Sequence, residues 1–384
     1  MLRETAVLLA AALLRVYPMQ FPALLFNPPI SQESSHDSKP LSYLFIKLIL
    51  VDIRASIPSL LGLLHSPDYL ITSSRLAASY DIVSCFTGFL IRSLEEYDDE
   101  DNVGDEVDKP QRSMVLPPDL LLQLRVDISQ AMSLTIEYLR DRYDASVGGV
   151  AGLHPLSRAE PPLGTGTPAA IAWETSEGMT KDPLTLSQVR AFALWIRDDE
   201  GEDLRKEAAG IMDVLLSMYG AEDSLEFAQP VAISLEGICT TSEGVHAFLS
   251  ENGWGILAKD LRSITSLGKD DIGGQHGMQT ARVLMCVLDS DEIGPTKKDW
   301  MPTLEIIASL DITDLSRADF SVALLDLGYE LLAKAPPGLR RRYKKEAEKV
   351  LFKAKGLFDK AEDGEMKERF RDVMIALTTV VPLP

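Results

Sequence analysis

The densest cluster of one chemistry in this sequence is basic. Arg340, Arg341, Arg342, Lys344, Lys345, Lys349, Lys353 and Lys355 fall between positions 340 and 355, opposed there only by Glu346 and Glu348. Positive charge at that density attracts an anionic ligand: a lipid headgroup, RNA or an acidic protein segment. On a helix, Leu339, Tyr343, Ala347, Val350, Leu351 and Ala354 would share one face and turn the basic residues outward. A solvated outer face is the alternative. The candidate interaction patch is Arg340, Arg341, Arg342, Lys344, Lys345, Lys349 and Lys353.

The opposite pole lies at 95–108, with nine carboxylates and no basic residue. Clustered carboxylates are hard ligands suited to calcium. However, Asp98-Asp99-Glu100-Asp101-Asn102-Val103-Gly104 lacks the alternating spacing and terminal Glu of an EF-hand loop. A solvated acidic loop, available as a docking strip for a basic surface such as 340–355, is the better reading.

Other chemistries find little support. Five histidines (His36, His65, His154, His246 and His276) include no pair at zinc spacing. His36 and His154 fall in loops and His276 near one, and His246 is expected half-buried on a helix. Cys85, Cys239 and Cys286 each sit in an apolar helical pattern and read as small buried hydrophobes. Residues 263–270 hold a Gly268-Lys269 pair, but lack the first glycine and the following Ser or Thr of a phosphate loop. Gly164-Thr165-Gly166-Thr167 lacks a strand–turn–helix context, and no Gly-x-Ser-x-Gly elbow exists. No enzyme, no cofactor and no metal site are therefore expected.

The elements that must position these residues are helical. Leu and Ala dominate the apolar residues, which are 46% of the chain, and aromatics are 7%. The stretch 182–220 sets the pattern. Asp182 is a natural N-cap with Pro183 at the first helical position. Val189, Phe192, Ala193 and Ile196 recur at helical spacing. After the polar run 198–203, Leu204, Ala208, Ile211, Leu215 and Met218 form a second stripe that Gly220 stops. Trp195, Leu194, Met212 and Leu216 widen both apolar faces, as helices sandwiched between neighbours require.

About fourteen helices are expected, in loose pairs recurring every 40 or so residues, the spacing of armadillo and HEAT repeats. The fold class is all-α: an armadillo/HEAT-like α-solenoid of stacked helix pairs. Helical repeats are expected over 1–93, an acidic disordered loop over 94–116 and one solenoid helix over 117–143. A mostly disordered Gly/Pro-rich insertion follows over 144–182, and repeats continuing the same solenoid over 183–384. The last basic run is expected on one long helix from Pro336-Pro337 to about 358. No run reaches the roughly 18 apolar residues of a membrane span, and the opening MLRETAVLLAAALLRVYP suits a first helix better than a signal peptide.

The net charge is −20, so nucleic acid is not an expected partner. Three scattered cysteines and no Asn-x-Ser/Thr sequon point to a reducing compartment, and the expected location is cytoplasmic.

Three segments carry a resemblance. Leu124-Arg125-Val126-Asp127-Ile128-Ser129-Gln130-Ala131-Met132-Ser133-Leu134-Thr135-Ile136-Glu137-Tyr138-Leu139 resembles a helix of the neurochondrin family. Val189-Arg190-Ala191-Phe192-Ala193-Leu194-Trp195-Ile196 resembles the family's next helix, and Leu204-Arg205-Lys206-Glu207 opens the one after. Residues 3–17 are similar to a helix of the family's middle region. The resemblance implies an armadillo-type solenoid without catalysis: a cytoplasmic interaction protein whose site residues are not defined. It also implies a chain corresponding to the C-terminal half of the family's solenoid. On that reading the first helices should expose an uncovered apolar face and favour self-association.

The expected function is therefore a non-catalytic scaffold or regulator binding other proteins. The alternative is a peripheral membrane or trafficking adaptor making a weak anionic-lipid contact through 340–355.

Overall fold

A computed structural model describes residues 2–27, 39–63, 66–101, 116–147, 182–199, 201–220, 225–264, 271–310, 315–362 and 364–381. Among them every extended element is a helix, as the Leu- and Ala-rich composition and the 3.6-residue period require. They form two units: residues 1–207 with 221–230, and residues 208–220 with 231–384.

The first unit begins with α1 (Leu2–Val16), α2 (Phe21–Phe26) and α3 (Leu41–Leu60). It continues with α4 (Asp68–Asp101), α5 (Pro118–Val147) and α6 (Pro183–Asp198). Helices α1, α4 and α6 lie side by side in one row, and α3 packs on α5 in a second row. Pairing α3 with α4 and α5 with α6 crosses between the rows, which is the helix-pair stacking of armadillo and HEAT repeats. Phe26 wedges edge-on against Phe86, with ring centroids 5.2 Å apart. Ile46, Leu50, Ile53, Leu76, Phe86, Ile128 and Phe192 are almost completely buried. Each such side chain contributes about 1.5–3 kcal/mol.

The second unit repeats this plan. Helices α7 (Glu202–Ala209) and α9 (Leu225–Ile238) each have residues in both units, and α8 (Met212–Tyr219) and α10 (Ser242–Ser250) belong to the second. Then follow α11 (Gly253–Ile264), α12 (Asp271–Asp289), α13 (Pro302–Ser309) and α14 (Ala318–Ala333). The last three are α15 (Pro337–Arg342), α16 (Lys344–Lys360) and α17 (Glu365–Val380). One row holds α12, α14 and α17, the other α11, α13 and α16, and the pairs α11/α12, α13/α14 and α16/α17 join them. Trp254 stacks on Trp300 at 4.4 Å and donates its Nε1–H to Thr303.

Local sequence explains the boundaries. Asp182 caps α6, its carboxylate accepting the Leu184 N–H at 3.0 Å, with Pro183 next in line. Thr241 caps α10 in the same way, accepting the Gly244 N–H at 3.2 Å. Asn252 takes the left-handed conformation, φ 57°, between α10 and α11.

Several boundaries differ from the sequence expectation. The stripe 204–218 is two helices, because glycine at Gly210 weakens the run and the Ile211 N–H bonds to Ala208 in a tighter turn. Helix α4 continues to Asp101, through the start of the expected acidic loop, there being no Gly or Pro to stop it before Gly104. Gly273 and Gly274 lie in the first turn of α12. The remainder of the acidic stretch, 102–115, and positions 148–181 of the insertion lie outside the described residues.

Candidate interaction site

The basic run does not form one helix. It breaks at Tyr343, whose buried ring sits between α15 and α16. Of the expected face, Tyr343, Ala347, Val350 and Ala354 are buried and Leu357 joins them, while Leu339 and Leu351 are only half-buried. The seven candidate patch residues then divide by role.

Arg340 is not an outward charge. Its Nε donates to the Ala335 carbonyl at 2.8 Å and its Nη2 to the Ala333 carbonyl. It thereby satisfies orphan carbonyls at the end of α14. Lys353 does the same for α13, its Nζ donating to Ile307 at 3.2 Å and to Leu310. Lys344 lies 3.8 Å from Glu348 on the next turn. The expectation that all seven face outward is corrected: helical phase points them away from the core, but neighbouring helix ends supply carbonyls within reach.

Arg341, Arg342, Lys345 and Lys349, together with Lys355, are exposed. None of the five has a salt bridge or side-chain hydrogen bond among the described residues. On α16 the exposed residues Lys345, Lys349, Phe352 and Lys355 are spaced i, i+4, i+7 and i+10, which places them on one outer stripe. Phe352 is 78% exposed. It was missing from the candidate list because the buried stripe was drawn through Leu351, its neighbour.

A second exposed surface belongs to the first unit. Helix α3 buries Ile46, Ile49, Ile53 and Ile57, yet exposes Leu41, Leu44, Leu48 and Val51 on its far side. The exposed residues alternate three and four apart, the spacing of a helix–helix seam. Helix α5 beside it exposes Leu122 and Val126, one turn apart. Lys47 and Arg54 of α3 both pair with Asp127 of α5, at 2.8 and 3.1 Å. The hydrogen bond that Lys47 donates to the Asp127 carboxylate, with that carboxylate's charge, holds the Lys47 pKa above the usual lysine value against the opposing effect of burial. Helix α1 likewise exposes Leu8, Leu9 and Val16. The signal was in the sequence, since 41–53 is apolar on two sides with Lys47 and Asp52 between them, but sequence alone assigns neighbours to both faces.

The remaining candidates are structural. His246 is exposed, its side chain 68% accessible, and lies 3.0 Å from Glu292, a correction to the half-buried expectation. His276, expected near a loop, is buried within α12 and meets Asp260 at 2.8 Å. Tyr219 donates to Asp260 at 2.5 Å and lies 2.9 Å from the Thr280 hydroxyl. His36, His65 and His154 lie outside the described residues. Cys239 is buried as expected, whereas Cys85 and Cys286 are only half-buried; burial pushes the Cys85 and Cys239 thiols up, Cys239 well above the ordinary value. No group of three His, Cys, Asp or Glu side chains able to hold a metal lies among the described residues. No helix among them is long and apolar enough to cross a membrane.

Two-row stacks of helix pairs, with exposed apolar and basic helix faces, define an all-α helical-repeat protein of the armadillo/HEAT type. The profile of the Neurochondrin family matches residues 1–288, and the chain belongs to that family. The match extends well beyond 124–219, where the resemblance was densest, and stops short of the basic run. No curated protein matches the chain.

Proposed function

We propose that this neurochondrin-family chain is a non-catalytic, cytoplasmic scaffold or regulator that binds other proteins. The observation that carries this reading is the uncovered seam Leu41, Leu44, Leu48 and Val51 on α3. Exposed apolar stripes of this kind mark protein–protein contacts, and the three–four spacing suits an amphipathic helix laid along it. The net charge of −20 supports a protein partner over nucleic acid.

The test is affinity purification from native cells, comparing the wild type with Leu44→Gln/Leu48→Gln. Both leucines are about half exposed, so the circular dichroism spectrum and melting temperature should hold. Partners captured by the wild type should be lost from the variant. Identical partner sets would remove the basis for this reading.

The second reading, a peripheral adaptor on anionic lipid, is favoured by the exposed cations on α15 and α16 that make no salt bridge among the described residues. Flotation with phosphatidylserine vesicles at low and high salt separates it from the first.

A further inference from the structure

Five exposed cations on α15 and α16 make no salt bridge among the described residues, and three of them, Lys345, Lys349 and Lys355, share a helix face with the exposed Phe352, on a chain of net charge −20. Elsewhere on this protein, exposed cations commonly meet carboxylates: Arg15 with Asp81, Arg125 with Asp199 and Arg369 with Asp319. With 58 acidic against 38 basic residues, local neutralisation is the easy outcome. Between positions 341 and 355, Arg341, Arg342, Lys345, Lys349 and Lys355 are exposed without one salt bridge among the described residues.

We infer that the outer stripe Lys345, Lys349, Phe352 and Lys355 of α16, with the exposed Arg341 and Arg342 just before it in the chain, docks an acidic segment of another protein that carries an apolar side chain for Phe352. The inference rests on the scaffold reading and names the partner chemistry at a second surface, outside the family-matched residues.

Charge complementarity selects an acidic partner. The choice between an acidic peptide and an anionic bilayer follows from the rest of the helix. A helix that lies in a membrane interface sinks a whole apolar face into the acyl boundary. On α16 that face is Ala347, Val350, Ala354 and Leu357, and it is buried within the protein. Phe352 alone is left to insert. Glu348 and Asp359, exposed one and two turns from Phe352 on the same side, would be repelled by a uniformly anionic surface. A peptide can place its carboxylates against the cations and leave those two positions free. A central aromatic within a charged rim is also the usual arrangement of a binding hot spot.

The experiment uses the full chain and a short fluorescent peptide of glutamates with one central phenylalanine, read by anisotropy. Binding should weaken steeply with salt. Phe352→Ala should weaken it about tenfold, and Lys345→Glu/Lys349→Glu by more. A control peptide with serine for the phenylalanine should bind the wild type as weakly as the intact peptide binds Phe352→Ala. Because all these side chains are exposed, melting temperatures report that the variants are folded.

Equal binding by wild type and Lys345→Glu/Lys349→Glu would overturn the inference. So would phosphatidylserine vesicles that capture the chain more tightly than the peptide, in a manner abolished by the same substitutions. Leu44→Gln/Leu48→Gln should leave peptide binding unchanged. If the peptide fails while partners still depend on the α3 seam, this inference falls and the scaffold reading stands.

Discussion

The Arg142 guanidinium, 1% exposed, lies 2.6 Å from the Asp182 carboxylate, so one ion pair joins the end of α5 to the start of α6. The same carboxylate caps α6, and Arg142 also reaches the Thr185 hydroxyl. Burial by itself would lower the Arg142 pKa; Asp182, with Tyr138 and Tyr69, outweighs it and holds the guanidinium above its ordinary value. Removing one partner of a buried pair costs about 3–5 kcal/mol, because the other charge is left unpaired. Asp182→Ala should therefore lower stability by about that much in urea titration. Asp182→Asn, which retains a capping oxygen, should cost less. Arg142→Met should also cost less, since it leaves no buried charge behind. Equal losses for all three would show that the pair is not the main contribution.

Acid sensitivity should trace to Asp260. Its burial works to raise its pKa, but hydrogen bonds from His276 and Tyr219 and the nearby His276 charge outweigh it, and the net shift is downward. A depressed carboxylate contributes stability that is present above its unfolded pKa, about 3.9. That contribution is lost as pH falls through the lower folded value. Urea midpoints followed into acid should decline more steeply for the wild type than for Asp260→Asn. Parallel profiles would refute the assignment.

Asp326 on α14 carries the opposite sign. Burial, with Glu330 nearby, pushes it up to about 6 against the pull of Arg369. Its ionisation costs nothing below about pH 4 and the full penalty is present above about 6. Allowing for solvent screening of a partly exposed group, Asp326→Asn should stabilise the protein by about 1–2 kcal/mol near neutrality. Thermal melts should show the gain at neutral pH and its disappearance in acid.

Two helical glycines should respond oppositely to alanine. A Cβ on Gly244 would come within 2.0 Å of the Ile238 carbonyl oxygen, a backbone atom that cannot swing aside. Gly244→Ala should destabilise by about 1–3 kcal/mol. Gly356 lies inside α16 with nothing within 4 Å of an added Cβ. Gly356→Ala should stabilise by about 0.5–1 kcal/mol. Chemical denaturation of both variants checks the contrast.

The basic run should separate by function. Arg340→Ala and Lys353→Ala strip hydrogen bonds from carbonyls at the ends of α14 and α13, and each should cost about 1–2 kcal/mol. Arg341→Ala and Lys349→Ala should leave stability within about 0.5 kcal/mol of wild type, as for other exposed positions without special contacts. If all four melt alike, the division drawn here between capping and outward residues is wrong.

The amino-acid sequence by itself determined that the chain is helical and which stripe of most helices is buried. Both depend on local periodicity: Val189, Phe192 and Ile196 on α6, or Ala347, Val350 and Ala354 on α16, are core residues by spacing alone. The cap at Asp182 was legible for the same reason, since cap and capped amide are two residues apart. The tertiary structure decided what depends on distant neighbours. Arg340 and Arg341 are adjacent and chemically identical, yet one is held by α14 carbonyls and the other is open to a partner. Helix α3 is apolar on two sides, and only its packing shows that α4 and α5 cover one side and leave Leu44 and Leu48 bare. Period fixes the angle at which a side chain leaves its helix; what occupies that direction is set by chain segments tens of residues away.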